Sequence, residues 1–138
     1  MDNKHFKHRI PIQVRFNDID MLGHVSNTVY PDYFDLGKLA YFDEVIPEMK
    51  MLELGFVGAS VKLDFFKPVF LRTRIAVETR TQAIGNKSLT LEQRIIDLDS
   101  GDICTFCTTV LVCFSIQNQS SLPLPESWRS KFEAFENK

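Results

Sequence analysis

The residues best equipped for chemistry in this 138-residue chain lie in one short segment, residues 16–27, FNDIDMLGHVSN. Asp18 and Asp20 stand two residues apart within it, and Gly23 and His24 follow closely. Side chains two residues apart share a face of an extended chain, whereas a turn beginning at Asp20 would separate them. Because one carboxylate is enough to act as a base or nucleophile, only one of the two aspartates needs to be the working acid.

The residues that follow predict the start of a helix. Gly23 permits the positive φ of a sharp bend, and Ser26 or Asn27 can cap the helix by accepting its first free N–H groups. Pro31 is tolerated in a first helical turn, so the helix is expected to start between Asn27 and Pro31. Its unpaired N–H groups and positive dipole would lie beside Asp20. A carboxylate near donors for a developing oxyanion is the minimum equipment for ester or thioester hydrolysis.

Hydrophobic periodicity indicates the elements that must position this segment. Residues 9–17 alternate as a strand, and residues 28–46 place apolar side chains, Leu36 among them, over about half of a helix, which calls for cover from several directions. Four further strands are predicted at 57–65, 71–84, 89–98 and 103–116, with Val57 and Val61 on one buried face. A short closing helix carries Trp128 and Phe132 on one side.

The order of these elements predicts an α+β fold. Short turns, such as the one at residues 85–87, join the last four strands, which favours an antiparallel meander of those four strands. The early apolar helix would lie against the concave face of that sheet. We expect a single domain over residues 1–138, because a chain of this length has no room for two cores.

Composition excludes several classes of function. Sixteen Lys and Arg against eighteen Asp and Glu give a net charge of −2, so we expect no nucleic-acid partner. The longest uncharged stretch, residues 103–125, is rich in Thr, Ser, Gln and Asn, and its apolar part is too short to cross a membrane. No signal-peptide pattern opens the sequence, which predicts a cytoplasmic protein whose three cysteines stay reduced.

Two groups of residues invite a metal-site interpretation, and we favour neither. Asp18, Asp20 and His24 are legitimate metal ligands, but three such residues often share a loop by chance. Cys104 and Cys107 form a C-x-x-C, yet residues three apart on a strand are expected to point to opposite faces. No second cysteine pair exists to complete a zinc site. We therefore expect core thiols, no metal and no cofactor.

The motif also resembles a known family. A D-x-D-x-x-G-H-V-x-N pattern before a helix is similar to the hallmark of the 4-hydroxybenzoyl-CoA thioesterase-like branch of the hotdog-fold superfamily. The matching residues are Asp18, Asp20, Gly23, His24, Val25 and Asn27. The likeness covers nearly the whole chain, including FFKPV at 65–69 and IGNKS at 84–88. It implies a hotdog fold, in which a five-stranded antiparallel sheet wraps one long central helix and a short helix closes the chain.

The resemblance implies an acyl-CoA thioesterase that hydrolyses a CoA thioester to a free acid and CoA. Asp20 would act as the nucleophile or as the general base for water, and both routes remain open. A backbone N–H at the start of the central helix, which maps onto Asn27 with Thr28 as its neighbour, would hold the carbonyl oxygen.

The resemblance also implies how the substrate is held. Asn86, Lys87 and Ser88 match the segment that meets the CoA phosphates, a role that a lysine point charge and a hydroxyl can fill. Gly23 and His24 join the substrate-binding residues, and His24 tunes the site rather than acting as the base. Family members bind substrate where two sheets join edge to edge, which implies a homodimer or a tetramer.

The same residues also allow simpler interpretations and other functions. Asp20 would otherwise be a turn-forming carboxylate, and Asp18 is explained well by a structural hydrogen bond to the loop. A dehydratase acting on thioester-bound chains is disfavoured because the predicted helix contains no His. The rival from another class is a non-catalytic acyl-CoA-binding module that keeps the fold and the pocket.

Overall fold

The computed structural model describes residues 5–137, and the first four residues and the last lie outside that range. Two helices and six strands follow in chain order: β1 (His8–Ile12), α1 (Tyr30–Val45), β2 (Leu54–Phe65), β3 (Ile75–Ile84), β4 (Ser88–Asp97), β5 (Ile103–Ser115), β6 (Ser120–Ser121) and α2 (Glu126–Glu136). A 3₁₀ turn at Phe16–Asp18 lies between β1 and α1. The expected α+β architecture is confirmed, with the short β6 as an unpredicted addition.

The strands form one antiparallel sheet in the order β1-β3-β4-β5-β2, with β6 paired to β5. The predicted four-strand meander is therefore wrong for β2, which pairs with β5 and not with its neighbour in sequence, β3. The place beside β3 is taken by β1, whose Ile10 and Ile12 lie opposite Val77 and Ile75. As a result, β1 and β2 are the two edges of the sheet.

Two strands are shorter than their alternation predicts, because hydrogen bonds turn the chain. β1 ends at Ile12, and the Asp18 carboxylate accepts the Arg15 N–H at 2.9 Å, which closes the 3₁₀ turn. β3 starts at Ile75, after a turn in which the Thr73 hydroxyl accepts the Phe70 N–H at 3.0 Å.

A β-bulge interrupts β2. The pairing with β5 shifts register between Gly58 and Ser60, so one extra residue stands on this strand. Because side chains alternate along a strand, the bulge places Val57 and Val61 on opposite faces, and not on the single face predicted. Both are also exposed, since β2 is an edge strand.

Helix α1 lies across the sheet, and its two ends pack into two separate clusters. The N-terminal cluster joins Tyr30, Tyr33 and Phe34 to Val69, in the connection before β3, and to sheet residues that include Ile75, Val77, Ile95, Cys104 and Cys107. The C-terminal cluster joins Tyr41, Phe42, Val45 and Ile46 to Leu89, Leu91, Leu111, Trp128, Phe132 and Phe135. Between them, Gly37 permits close approach, because a Cβ there would lie 2.5 Å from Val77 Cγ1.

Both flanks of α1 remain partly open. Leu36, expected within the buried arc, is 51% exposed, and Leu39 is 48% exposed. Within residues 5–137 no helix is long and apolar enough to cross a membrane.

Cys104, Cys107 and Cys113 are free thiols in the core, as expected. The prediction that Cys104 and Cys107 point to opposite faces is wrong, because both pack into the N-terminal cluster. A register shift between β4 and β5 breaks the alternation at this point, and the Cys104 carbonyl accepts the N–H groups of Phe66 and Lys67.

Candidate active site

The motif segment folds into a small hairpin. Ile19 and Val25 form an antiparallel bridge, and the Asp20 N–H donates to the His24 carbonyl at 2.8 Å. The turn closes where the Gly23 N–H donates to the Asp20 carbonyl at 3.1 Å. Gly23 has a φ of 83°, so the expected positive φ is confirmed. A residue with a Cβ would be strained at this position.

Backbone hydrogen bonds fix this hairpin to the segment that precedes β3. The Val25 N–H donates to the Val69 carbonyl at 2.8 Å, and His24 bridges to Phe70. The His24 and Phe70 rings meet edge to face, with centroids 4.9 Å apart. His24 therefore has a packing role beside the cleft described below.

Asp18 is buried and anchors the hairpin. Its carboxylate accepts the Arg15 guanidinium at 2.9 Å and the Tyr33 hydroxyl at 2.7 Å, and it is 1% exposed. Burial alone would raise the pKa of Asp18, but the hydrogen bonds from Arg15 and Tyr33 together hold it below its usual range. These contacts give Asp18 a structural role, in agreement with the plainer interpretation of its sequence position.

Asp20 is exposed, unlike Asp18. Its Oδ1 accepts the Leu22 N–H at 2.9 Å, which is the contact of a turn-forming aspartate. Its Oδ2 has no hydrogen-bond donor among residues 5–137 and remains open to a ligand. Burial raises the pKa of Tyr30, and the charge of Asp20 adds to that rise, so this carboxylate lies within electrostatic reach of the start of α1.

The start of α1 differs from the expected cap. The helix begins at Tyr30 with Val29 as its N-cap residue, and no side chain caps it. The Ser26 hydroxyl accepts the Thr28 N–H at 3.4 Å instead, because a turn at residues 27–29 separates Ser26 from the helix. The Asn27 N–H has no acceptor in the described part of the chain, so it is free to bind an oxyanion.

A shallow cleft of about 290 Å³ opens beside this N–H. Its lining includes His24, Asn27, Tyr30, Phe65, Phe66 and Pro68. The structure thus brings Asp20, Gly23, His24, Asn27 and Thr28 into one hairpin and the turn that follows it. Asp20 itself does not line the cleft, because in a single chain its carboxylate faces water.

The predicted CoA-phosphate residues lie at the opposite end of the molecule. Asn86, Lys87 and Ser88 belong to the β3–β4 turn, beside the C-terminal end of α1. The Lys87 carbonyl accepts the Cys113 N–H at 2.8 Å, which ties the turn to β5. Since α1 has 16 residues, its two ends are on the order of 24 Å apart, and this turn lies beside the end remote from Asp20. One chain does not bring the two groups of residues together.

Sequence reasoning missed Tyr33 and Arg15 as the partners of Asp18. The Arg15 pairing had a signal in the opposite charge three residues before Asp18, whereas nothing in the sequence joins Tyr33 to it. For metals, residues 5–137 contain no group of three His, Cys, Asp or Glu side chains placed to share an ion.

Comparisons with known proteins identify the family. Residues 14–132 match the model of the thioesterase-like superfamily, so the chain belongs to that family. It is therefore a thioester hydrolase with the hotdog fold, and the resemblance inferred from the motif is confirmed.

Individual relatives agree with this assignment. The chain is 31% identical to a Thermus thermophilus thioesterase solved with coenzyme A and Zn, covering 96% of each chain at a TM-score of 0.84. It is 26% identical to the PA5185 protein of Pseudomonas aeruginosa PAO1, covering 94% of this chain and 91% of that one at a TM-score of 0.85. The uncharacterised protein YsmA of Bacillus subtilis is 29% identical over 101 residues, which is 73% of this chain and 68% of YsmA.

Proposed function

We propose that this protein is an acyl-CoA thioesterase whose reaction takes place at the N-terminal end of α1. One observation carries the proposal: an open carboxylate oxygen on Asp20 and an open N–H on Asn27 lie at the two ends of one short segment before the helix. The coenzyme A bound to the Thermus thioesterase supports CoA as the carrier of the acyl group. The three free cysteines agree with a cytoplasmic location.

The reaction follows from the roles of these two groups. The thioester carbonyl oxygen accepts the Asn27 N–H, which stabilises the negative charge of the tetrahedral intermediate. Asp20 either attacks the carbonyl carbon, giving an anhydride that water then hydrolyses, or takes a proton from the attacking water. In both routes the C–S bond breaks, and the CoA sulfur leaves and takes up a proton. His24 borders the cleft beside the thioester carbonyl, and Gly23 and Thr28 shape the backbone around that carbonyl.

Replacement of the Asp20 carboxylate tests this proposal. Asp20→Asn should lower kcat/KM by about 100-fold or more while substrate binding is largely retained, because an amide is neither a base nor a nucleophile. Thiol release from a panel of aromatic, short-chain and long-chain acyl-CoAs provides the measurement. Asp43→Asn, which changes an exposed acid on α1, is the matched control and should behave like the parent.

Either of two results would count against the proposal. Turnover by Asp20→Asn at the parent's rate would show that another group carries the reaction. If the parent cleaves no thioester in a broad panel but binds acyl-CoA, the non-catalytic binding module becomes the better description.

We propose further that the active form contains at least two copies, as a homodimer or a tetramer. The 12-residue strand β2 pairs with β5 on one side, and no strand within residues 5–137 pairs with its other side. Long unpaired edges with exposed apolar side chains, here Val57, Val61 and Phe65, favour pairing with another strand. Antiparallel pairing of two β2 strands would bring the Asn86–Ser88 turn of one protomer to the same end as Asp20 of its partner.

Mixed dimers test this shared site. Asp20→Asn and the double variant Lys87→Ala/Ser88→Ala should each be impaired alone. Reassembled from an equal mixture, they should recover about a quarter of the parent's activity, because half of the dimers then contain one intact site. No recovery of activity after confirmed subunit exchange would show that Asp20 of one protomer and Lys87 of its partner do not act in one shared site. A monomer in sedimentation at assay concentration would also contradict the proposal.

A further inference from the structure

A second cavity, of about 340 Å³, lies between α1, β2 and β5. Its walls are mostly apolar and include Leu39, Phe42, Phe56, Val61 and Leu111. Asp35, at its rim, is five residues beyond the helix start at Tyr30, or roughly 8 Å along the helix axis. The cavity is thus close enough to the N-terminal end of α1 to receive an acyl chain held there, and its volume suits a small ligand.

One cation lies among these apolar walls. The Lys38 side chain is only 16% exposed, and its Nζ donates to Asp35 Oδ1 at 3.3 Å. It donates to no other group in the part of the chain that the structure describes. An ammonium group carries three N–H donors, so two of them are open. Since these donors are largely screened from water, they favour an acceptor that enters the cavity.

The Lys38 ammonium lies near a buried part of the sheet. Thr109, which also lines the cavity, is 1% exposed and lies 3.4 Å from the Cys107 sulfur through its hydroxyl oxygen. Burial raises the pKa of the Cys107 thiol, the Lys38 charge opposes that rise and the Asp35 charge adds to it, so both charges lie within electrostatic reach of the sheet interior. The Asp35 side chain is 71% exposed and well solvated, whereas that of Lys38 is 16% exposed.

We propose that this cavity holds the acyl group of the substrate and that Lys38 selects acyl groups with a carboxylate at their far end. The inference rests on the proposed thioesterase function and names its substrate class, the CoA monothioesters of dicarboxylic acids. The carboxylate would accept the two open donors of Lys38, with the Thr109 hydroxyl beside them. The methylene chain would pack against Leu39 and Val61. A plain alkyl chain would cover the ammonium and leave its two open donors without acceptors.

Matched pairs of substrates test the proposal: hexanoyl-CoA with adipoyl-CoA, octanoyl-CoA with suberoyl-CoA, and decanoyl-CoA with sebacoyl-CoA. The parent should prefer the carboxylated member of the best pair by at least about tenfold in kcat/KM, as expected for a charge-assisted hydrogen bond. Lys38→Met should abolish that preference while kcat/KM for the unsubstituted partner stays the same or rises. Lys38→Arg, which keeps the cation, should retain most of the preference for the carboxylated substrate.

Two further variants sharpen the test. Asp35→Asn removes the one competing acid and should increase the preference for the carboxylated substrate. Lys131→Met removes an exposed lysine that is paired with Glu48 and does not line the cavity, and it should leave the preference unchanged.

The outcomes separate this inference from the proposed function. If the parent cleaves these thioesters but shows no carboxylate preference, or if Lys38→Met keeps the parent's preference, the role of Lys38 is overturned and the thioesterase function stands. If the parent cleaves none of them, the proposed function fails. Calorimetric affinities of the same matched pairs for the parent and Lys38→Met then decide the role of Lys38, and equal affinity ratios would overturn it.

Discussion

The two ends of α1 are built differently. At the C-terminal end, Tyr41 and Phe42 are enclosed by aromatic side chains of the same chain, including Phe132, whose ring centroid is 6.0 Å from that of Tyr41. At the N-terminal end, the apolar cluster around Tyr30 and Phe34 also contains a buried polar contact, in which the Asp18 carboxylate is hydrogen-bonded to the Tyr33 hydroxyl. Apolar burial stabilises both ends, and the polar contact at the second end also holds the motif hairpin in place.

The covering elements explain this difference. Helix α2 closes the C-terminal end, and its Glu136 accepts hydrogen bonds from the Tyr41 hydroxyl and the Thr81 N–H. Within residues 5–137 no helix covers the N-terminal end, where Met21 and Leu22 at the hairpin tip are exposed. Loops that carry function are commonly held on a rigid scaffold in this way. Changes in the aromatic core of the closed end should therefore affect folding, and changes in the hairpin at the open end should affect catalysis.

The largest effect on stability is expected from Phe132→Ala, at the closed end. Phe132 is fully buried, so its loss should reduce the free energy of unfolding by about 3–5 kcal/mol through lost burial and a residual cavity. Denaturant unfolding of the parent and the variant measures this change. At temperatures where the variant remains folded, its kcat/KM should stay near the parent's value. A loss of kcat/KM as large as that of Asp20→Asn would contradict the proposed difference between the two ends of α1.

Periodicity predicted the elements better than their arrangement. The periodicity of apolar residues placed β4, β5 and α1 within a few residues of their bounds and predicted the closing helix α2, because burial on one face leaves that pattern. It did not predict the neighbours of β2, since alternation carries no information about pairing partners. One signal was available: the connection at residues 66–74 is longer than the two to five residues of typical hairpin loops.

The sequence likewise predicted only part of the candidate site. The motif alone predicted a Gly-bent loop before a helix, because Gly23 and the aspartates act through local geometry. It could not decide which aspartate is buried, since that depends on Tyr33, fifteen residues further along the chain. Helical periodicity alone places Lys38 on the charged face of α1, whereas its partial burial depends on the positions of β2 and β5. Residues fixed by distant contacts were beyond what the sequence could show.

A smaller effect is expected from Tyr33→Phe, at the open end. Loss of its hydrogen bond to the Asp18 carboxylate should cost about 1.5–3 kcal/mol of unfolding free energy, as for hydrogen bonds to charged groups. Because Asp18 anchors the hairpin that carries Asp20, kcat should fall as well. Tyr41→Phe removes the matching hydroxyl at the closed end and is the control, since it should leave kcat unchanged.

The pH dependence of stability separates the role of Asp18 from a general loss of packing. The pKa of folded Asp18 is lowered, so its contribution to stability is complete above the unfolded pKa, about 3.9, and is lost as pH falls through the folded pKa. The Tyr33 hydroxyl is one cause of that lowering, so the stability gap between parent and Tyr33→Phe should be widest at neutral pH. The gap should narrow as the pH falls from about 3.9 through the folded pKa of Asp18, because protonation of Asp18 removes the charged partner in both proteins. Unfolding free energies measured across that range check the prediction, and a gap that stays constant would show that packing, and not the carboxylate, accounts for the effect of Tyr33.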